Sequence, residues 1–82
     1  MAVVILPGLL AAEAGGQKRF ELTATTLREA LSALPVADLL LDERGDVRSL
    51  VHVYVDGERA QDLAVPLVAS AQVRIVAAIA GG

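Results

Sequence analysis

Apolar and polar residues alternate along several short stretches of the chain, as they do in strands that are buried on one face. In one such stretch Phe20 and Leu22 share one face, and Arg19 and Glu21 share the other. Alternation and short β-branched runs closed by turn residues together predict five strands. They lie at residues 2–6, 17–22, 50–55, 58–60 and 73–77.

A helix is predicted after the second strand. Thr26 and Glu29 have the spacing of a capping box, in which each side chain accepts a hydrogen bond from the other residue's backbone. Pro35 should end this helix, because the residue before a proline avoids helical geometry. Residues 9–14 and 36–41 could each form a helical turn or a loop. Four apolar residues recur at the spacing of one helix face: Leu27, Ala30, Leu31 and Leu34.

The elements occur in the order strand, strand, helix, strand, short strand, strand, which is the β-grasp arrangement. The first two strands would form a hairpin with a long connection. We predict an α+β domain over residues 1–77, with a mixed sheet of four to five strands and one crossing helix, followed by a flexible tail at 78–82. Four apolar residues are expected to cover the bottom of the core: Leu63, Val65, Leu67 and Val68.

The composition narrows the chemistry that the chain could perform. Its 82 residues indicate one domain, and the core must be aliphatic because only 2% of the residues are aromatic. The net charge of −3 and the scattered basic residues argue against a nucleic-acid partner. The chain has no cysteine and one histidine, His52, so thiolate chemistry and a His- or Cys-based metal site are excluded. Carboxylates, hydroxyls and the chain end remain.

The apolar start of the chain is followed by Ala12-Glu13-Ala14, which has the small-x-small form of a signal-peptidase site, but two other features argue against an export signal. No Lys or Arg precedes the apolar run, and Pro7-Gly8 interrupts it. The run is also too short to span a bilayer. We therefore expect a cytoplasmic protein without a membrane partner.

The last ten residues begin as an apolar strand and end on Gly81-Gly82. Glycine is costly to order and adds no side chain to a core. The pair could be a frayed terminus or a cloning remnant, since chain ends are commonly disordered. Alternatively, the carboxylate of Gly82 could be the reactive group, with two residues lacking Cβ entering a narrow channel of another enzyme.

Together, these features resemble the ubiquitin-like sulfur carriers of the ThiS/MoaD family. The resemblance covers nearly all 82 positions. It rests on the glycine pair after residues 73–80, on the helix start Thr26-Leu27 and on residues 51–58 (VHVYVDGE). Residues 15–18 (GGQK) and the strand at 52–55 are most similar to the branch that serves cysteine biosynthesis.

Two stretches depart from the family pattern. Residues 69–72 (ASAQ) stand where family members usually carry a Gly-Asp turn. Ala77 and Ala78 stand where a proline often precedes the terminal segment. The sheet and the tail can accommodate both changes. The changes leave open which subfamily the chain resembles most and which individual protein is its partner.

The resemblance implies a mechanism centred on Gly82. A ubiquitin-activating-type adenylating enzyme would activate its carboxylate with ATP and Mg²⁺, and sulfur from a persulfide would displace AMP to leave a thiocarboxylate. A downstream synthase would accept the sulfur for cysteine or another sulfur-containing product. The chain would then be a substrate rather than an enzyme, without a permanently bound cofactor, and Gly81 would keep the channel unobstructed.

Residues on the last strand and on the exposed sheet face are expected to contact these partners. His52, Tyr54 and Val76 would form a docking patch, and Arg74 would pair with acidic groups of the activating enzyme, although solvated side chains without a role are the simpler interpretation. Two other functions are open: an interaction module with an idle tail, and a modifier joined to lysines. The full set of predicted partner-binding residues is His52, Tyr54, Arg74, Val76, Ile79 and Ala80.

Overall fold

The computed structural model describes residues 1–77. Within that range the chain forms a sheet of five strands and three short helices. The strands are β1 (Ala2–Ile5), β2 (Arg19–Leu22), β3 (Val51–Val55), β4 (Glu58–Ala60) and β5 (Gln72–Ala77). The helices are α1 (Gly8–Glu13), α2 (Leu27–Ser32) and α3 (Ala37–Leu40).

The sheet has the strand order β2-β1-β5-β3-β4, so the last strand lies at its centre. β5 is parallel to β1 and antiparallel to β3, whereas β1 and β2 form the predicted antiparallel hairpin with α1 in its connection. The β3–β4 hairpin turns at Asp56 and Gly57, and both have positive φ (51° and 88°). Positive φ at both central residues is what a two-residue turn of this kind requires. The predicted mixed sheet is confirmed.

Helix α2 begins with the predicted capping box. The Thr26 hydroxyl accepts a hydrogen bond from the Glu29 backbone N–H at 3.2 Å, and Glu29 Oε1 accepts from the Thr26 N–H at 3.2 Å. The helix ends at Ser32, ahead of Pro35. The expectation of a single helix is too simple, because the two ambiguous segments also form short helices, α1 and α3.

The core lies between one face of the sheet and the helices, and it is aliphatic as predicted. The described part of the chain has no buried polar or charged residue. Within residues 1–77, none of the helices has the length and apolar character needed to cross a membrane. The largest fully buried side chains are Leu27, Leu31, Leu40, Ile75, Val4, Val53 and Val73.

The prediction that Val68 covers the bottom of the core is wrong. Leu63 and Leu67 are buried, but Val68 is 64% exposed. The Leu67 N–H donates to the carbonyl of Thr25 at 2.9 Å, which fixes the backbone of Leu67 against the segment before α2. The side chains of adjacent residues in an extended segment point to opposite sides, so the burial of Leu67 leaves Val68 facing solvent.

A candidate docking face at the end of the central strand

Four of the predicted partner-binding residues form one block on the face of the sheet that is opposite the core. His52 on β3 lies directly opposite Val76 on β5, and Tyr54 lies directly opposite Arg74. Side chains that face each other in this way have Cβ atoms about 4.5–5.5 Å apart. The pairing therefore brings together residues that are about twenty positions apart in sequence. We call this block of His52, Tyr54, Arg74 and Val76 the sheet-face patch.

The local pattern explains why these side chains point outward. Along β5, Val73 and Ile75 are buried while Arg74 and Val76 are exposed, as a period of two requires. Val76 is 39% exposed, so this face of the sheet presents a branched apolar side chain to solvent. An apolar residue presented beside an arginine and a tyrosine is typical of a protein-binding surface.

The patch continues into a row of side chains that crosses all five strands. Arg59 on β4 is the partner of Tyr54, and Ile5 on β1 is the partner of Arg74. Arg19 on β2 is in turn the partner of Ile5. Three guanidinium groups therefore lie in one row on the outer face. We call Arg19, Ile5, Arg74, Tyr54 and Arg59 the arginine row.

The arginine row gives the outer face a positive charge on a chain whose net charge is −3. Arg19 is paired with Glu21, with Nη1 and Oε1 3.0 Å apart. Arg59 and Arg74 form no salt bridge with any residue of the described range 1–77. The face is therefore complementary to an acidic surface. Attraction between the two surfaces would orient a partner and accelerate its approach.

The outer face is concave beside the patch. A depression of about 450 Å³ is lined by Tyr54, Gly57, Gln72, Arg74 and Val76. Its walls combine an aromatic ring, an aliphatic side chain and a guanidinium group. This depression could accept an apolar side chain of a partner while its rim binds a carboxylate.

His52 is half-buried, not an ordinary exposed sheet residue as the simpler interpretation supposed. Its Nδ1 atom is buried and has no hydrogen-bond partner among the residues that the structure describes. A buried polar atom without a hydrogen-bond partner lowers the free energy of unfolding of the domain.

The remaining predicted site residues, Ile79, Ala80, Gly81 and Gly82, lie outside the described residues, as does the predicted tail. The last described residue, Ala77, is the partner of Val51 on β3 and follows Val76 directly. The sheet-face patch is therefore next to the point where β5 leads into the C-terminal residues. Across residues 1–77, no group of three or more histidine and carboxylate side chains could hold a metal ion.

Sequence reasoning found the patch but missed Arg19 and Arg59. The alternation along the second strand placed Arg19 on the polar face, whereas Arg59 was predicted to lie in a short strand without a face being assigned to it. Their place in the arginine row depends on the register between strands. No signal within a single strand contains that register.

Comparisons with solved structures place this architecture among known proteins. CysO of Mycobacterium tuberculosis, described as an antigen, is 26% identical with a TM-score of 0.85, over 96% of this chain and 100% of that one. A chain of the BexX/CysO complex of Amycolatopsis orientalis is 24% identical, with a TM-score of 0.83 and full coverage of both chains. SAMP1 of Haloferax volcanii is 24% identical, with a TM-score of 0.77 over 99% of this chain and 98% of that one.

Comparison of the sequence alone identifies no related protein. No protein-family model and no curated protein match the chain. The structural neighbours are ThiS/MoaD-type ubiquitin-like proteins, small carriers or modifiers rather than enzymes. The resemblance predicted from the residues is therefore confirmed in three dimensions: the chain has the β-grasp fold of the ThiS/MoaD-type ubiquitin-like sulfur carriers.

Proposed function

We propose that this protein is a sulfur carrier whose Gly82 carboxylate is adenylated and converted to a thiocarboxylate. The observation that carries the proposal is the likeness to Mycobacterium tuberculosis CysO over 96% of the chain, at a TM-score of 0.85. In this proposal the carboxylate of Gly82, which follows Gly81, is the reactive group.

The chemistry follows from the properties of a carboxylate. An α-carboxyl group has a pKa of about 3.3–3.7, so at neutral pH it is an anion and a poor electrophile. Attack of a Gly82 oxygen on the α-phosphorus of ATP releases pyrophosphate and leaves an acyl adenylate. A persulfide then attacks the carbonyl carbon and AMP leaves. A thiol cleaves the resulting acyl disulfide, and the Gly82 thiocarboxylate remains.

The thiocarboxylate is a good nucleophile that can transfer its sulfur to an activated precursor on a second enzyme. The acceptor is a synthase that makes cysteine or another sulfur-containing metabolite or cofactor. The carrier holds no cofactor of its own in this scheme. ATP and Mg²⁺ are bound by the adenylating enzyme.

The sheet-face patch is the proposed docking site for the adenylating enzyme. The apolar centre at Val76 favours a partner surface with an acidic rim, as do Arg59 and Arg74, whose guanidinium groups form no ion pair within residues 1–77. The carboxylate of Gly82 that the proposal makes reactive is five residues beyond Ala77, and a fully extended chain gains about 3.3–3.6 Å per residue. The active site must therefore lie within about 17 Å of the docked end of β5.

The test is the intact mass of the protein after incubation with its adenylating enzyme, ATP, Mg²⁺ and a persulfide donor. We expect a mass increase equal to the exchange of one oxygen for one sulfur. Omission of ATP and deletion of Gly82 are the controls, and both should abolish the increase. An unchanged mass after incubation with a proven cognate adenylating enzyme would contradict the proposal.

The same experiment tests the second candidate, a modifier joined to lysine side chains. The likeness to a small archaeal modifier protein of Haloferax volcanii, with a TM-score of 0.75, favours this alternative at the level of the fold. Both functions begin with adenylation of the chain end. Isopeptide-linked adducts of higher mass would support the modifier, and the oxygen-for-sulfur exchange without adducts would support the carrier.

A further inference from the structure

A second apolar surface lies at the end of β5, on the other side of the sheet from the sheet-face patch. It is a groove of about 590 Å³ whose lining includes Ala77, the buried Leu10 and three exposed leucines. Leu9, Leu39 and Leu50 are 59%, 43% and 56% exposed, so they contribute little to the domain's own core. We call the surface formed by Leu9, Leu39, Leu50 and Ala77 the leucine groove.

Each helix at the groove already packs on the core through a different residue. In α1, Leu10 is buried and Leu9 is left outside, and in α3, Leu40 is fully buried and Leu39 is left outside. Packing of the domain therefore does not require either exposed leucine. Exposed apolar side chains that come from separate elements and converge on one concave surface mark an interaction site.

The rim of the groove also has unpaired charges. Glu13 and Arg48 both line it, and neither forms a salt bridge with another residue in the described range. The Arg48 Nε atom donates to the carbonyl of Asp38 at 3.0 Å, which fixes this side chain beside α3. An occupant would therefore be apolar at its centre, with an acidic group placed for Arg48 and a basic group placed for Glu13.

The location of the groove indicates which partner fills it. Ala77 is its boundary with the C-terminal residues, and the Val51–Ala77 pair is the next position in the ladder after His52–Val76. The side chains of adjacent ladder positions point to opposite faces of a sheet. A protein that receives the residues after Ala77 thus meets the sheet-face patch on one side of β5 and the leucine groove on the other.

We propose that the leucine groove binds an apolar segment, with an acidic residue beside it, of the same adenylating enzyme that receives Gly82. This inference rests on the proposed function and deepens it. The enzyme holds the end of β5 from both faces of the sheet, which fixes the direction in which the chain end leaves the domain. A grip on one face alone leaves that direction less restricted.

The test is the rate of ATP–pyrophosphate exchange by the adenylating enzyme, with the carrier as the varied substrate. Leu50→Glu should raise KM for the carrier about tenfold or more, as the loss of a central apolar contact does. Val68→Glu is the matched control, because Val68 is 64% exposed and does not line the groove. It should leave KM within about twofold, since isolated surface positions contribute little.

Circular dichroism and the thermal midpoint establish that each variant is folded. Leu9→Ser is a milder second variant, expected to raise KM without adding a charge. If wild-type carrier supports no exchange, both the proposed function and this inference are overturned. If wild-type carrier is active and Leu50→Glu behaves like Val68→Glu, only the groove inference is overturned.

Two further measurements address other occupants of the groove. A wild-type dimer in light scattering that Leu50→Glu converts to a monomer would show that a second copy fills the groove. Stronger binding of anilinonaphthalene sulfonate by a chain ending at Ala77 than by the full chain would show that residues 78–82 fill it. Either result overturns the inference, whereas a monomer with equal dye binding supports it.

Discussion

Tyr54 and Arg74 lie directly opposite each other on the antiparallel strands β3 and β5, and Arg59 lies opposite Tyr54 on its other side. Tyr54 is therefore flanked by an arginine on each neighbouring strand, on the outer face of the sheet. Neither Arg59 nor Arg74 forms a salt bridge within residues 1–77. This arrangement makes the charge of the outer face available to a partner.

Reversal of one of these charges should weaken docking. Arg74→Glu is expected to raise KM of the proposed adenylating enzyme for this protein about tenfold at low salt, because it replaces attraction by repulsion at an acidic surface. The effect should shrink as ionic strength increases, since salt screens exposed charges. Pyrophosphate exchange at two salt concentrations measures both.

Arg44→Glu is the matched control for this prediction. It changes the net charge by the same amount, and the Arg44 side chain is 83% exposed in a loop away from the sheet-face patch. We expect little change in KM for this variant. An equal increase in both variants would mean that net charge alone is responsible and that the patch has no special role.

The capping box should contribute measurably to stability. Thr26→Ala removes the hydroxyl that accepts from the Glu29 N–H, and it should lower the free energy of unfolding by about 1 kcal/mol. Urea denaturation measures the difference. Thr23→Ala, at an exposed threonine before the cap, should have an effect within about 0.5 kcal/mol, and a similar loss in both variants would contradict this role for Thr26.

Stability should depend on pH through Glu29. Hydrogen bonds from the hydroxyl and the backbone N–H of Thr25 hold the pKa of Glu29 below its ordinary value of 4.5, and the Thr26 N–H acts in the same direction. Because the folded pKa is the lower one, this contribution is fully present above 4.5 and is lost as pH falls through the folded pKa.

Glu29→Gln is the variant that tests this pH dependence. It should be less stable than wild type at neutral pH, and the difference in unfolding free energy should narrow as pH falls below 4.5. Urea denaturation at several pH values measures this. Glu58→Gln, at an exposed position on β4, controls for the removal of a charge. A difference for Glu29→Gln that is constant with pH would count against the prediction.

Adjacent leucines of α3 should respond very differently to truncation. Leu40 is fully buried, so Leu40→Ala should lower the free energy of unfolding by about 2–5 kcal/mol through lost burial and the cavity that remains. Leu39 is 43% exposed, and Leu39→Ala should change it by about 0.5 kcal/mol or less. Similar losses in both variants would show that Leu39 belongs to the core.

The sequence was sufficient for the features that depend on local pattern. The capping box of Thr26 and Glu29 is encoded by residue types three positions apart, and the alternation around Arg74 assigns each β5 residue to a face. Both were predicted and are confirmed. The position of β5 at the centre of the sheet follows from pairing with β1 and β3, which no local pattern specifies.

The features that the sequence did not predict also depend on information that a local pattern does not contain. Helices α1 and α3 lack the side-chain N-cap that marks the start of α2, and α3 has only four residues. Val68 is apolar but follows a residue whose backbone is fixed with its side chain inward. The leucine groove was not predicted because Leu9, Leu39 and Leu50 come from three separate segments that only the folded chain brings together.

The central position of β5 has a mechanical consequence. A pull on the carboxyl end of this strand acts along its length and loads the hydrogen bonds to β1 and β3 at the same time, in shear. Bonds loaded together resist far more force than bonds that open one after another. An enzyme that draws the chain end into a deep channel can therefore apply tension without unravelling the domain that delivers it.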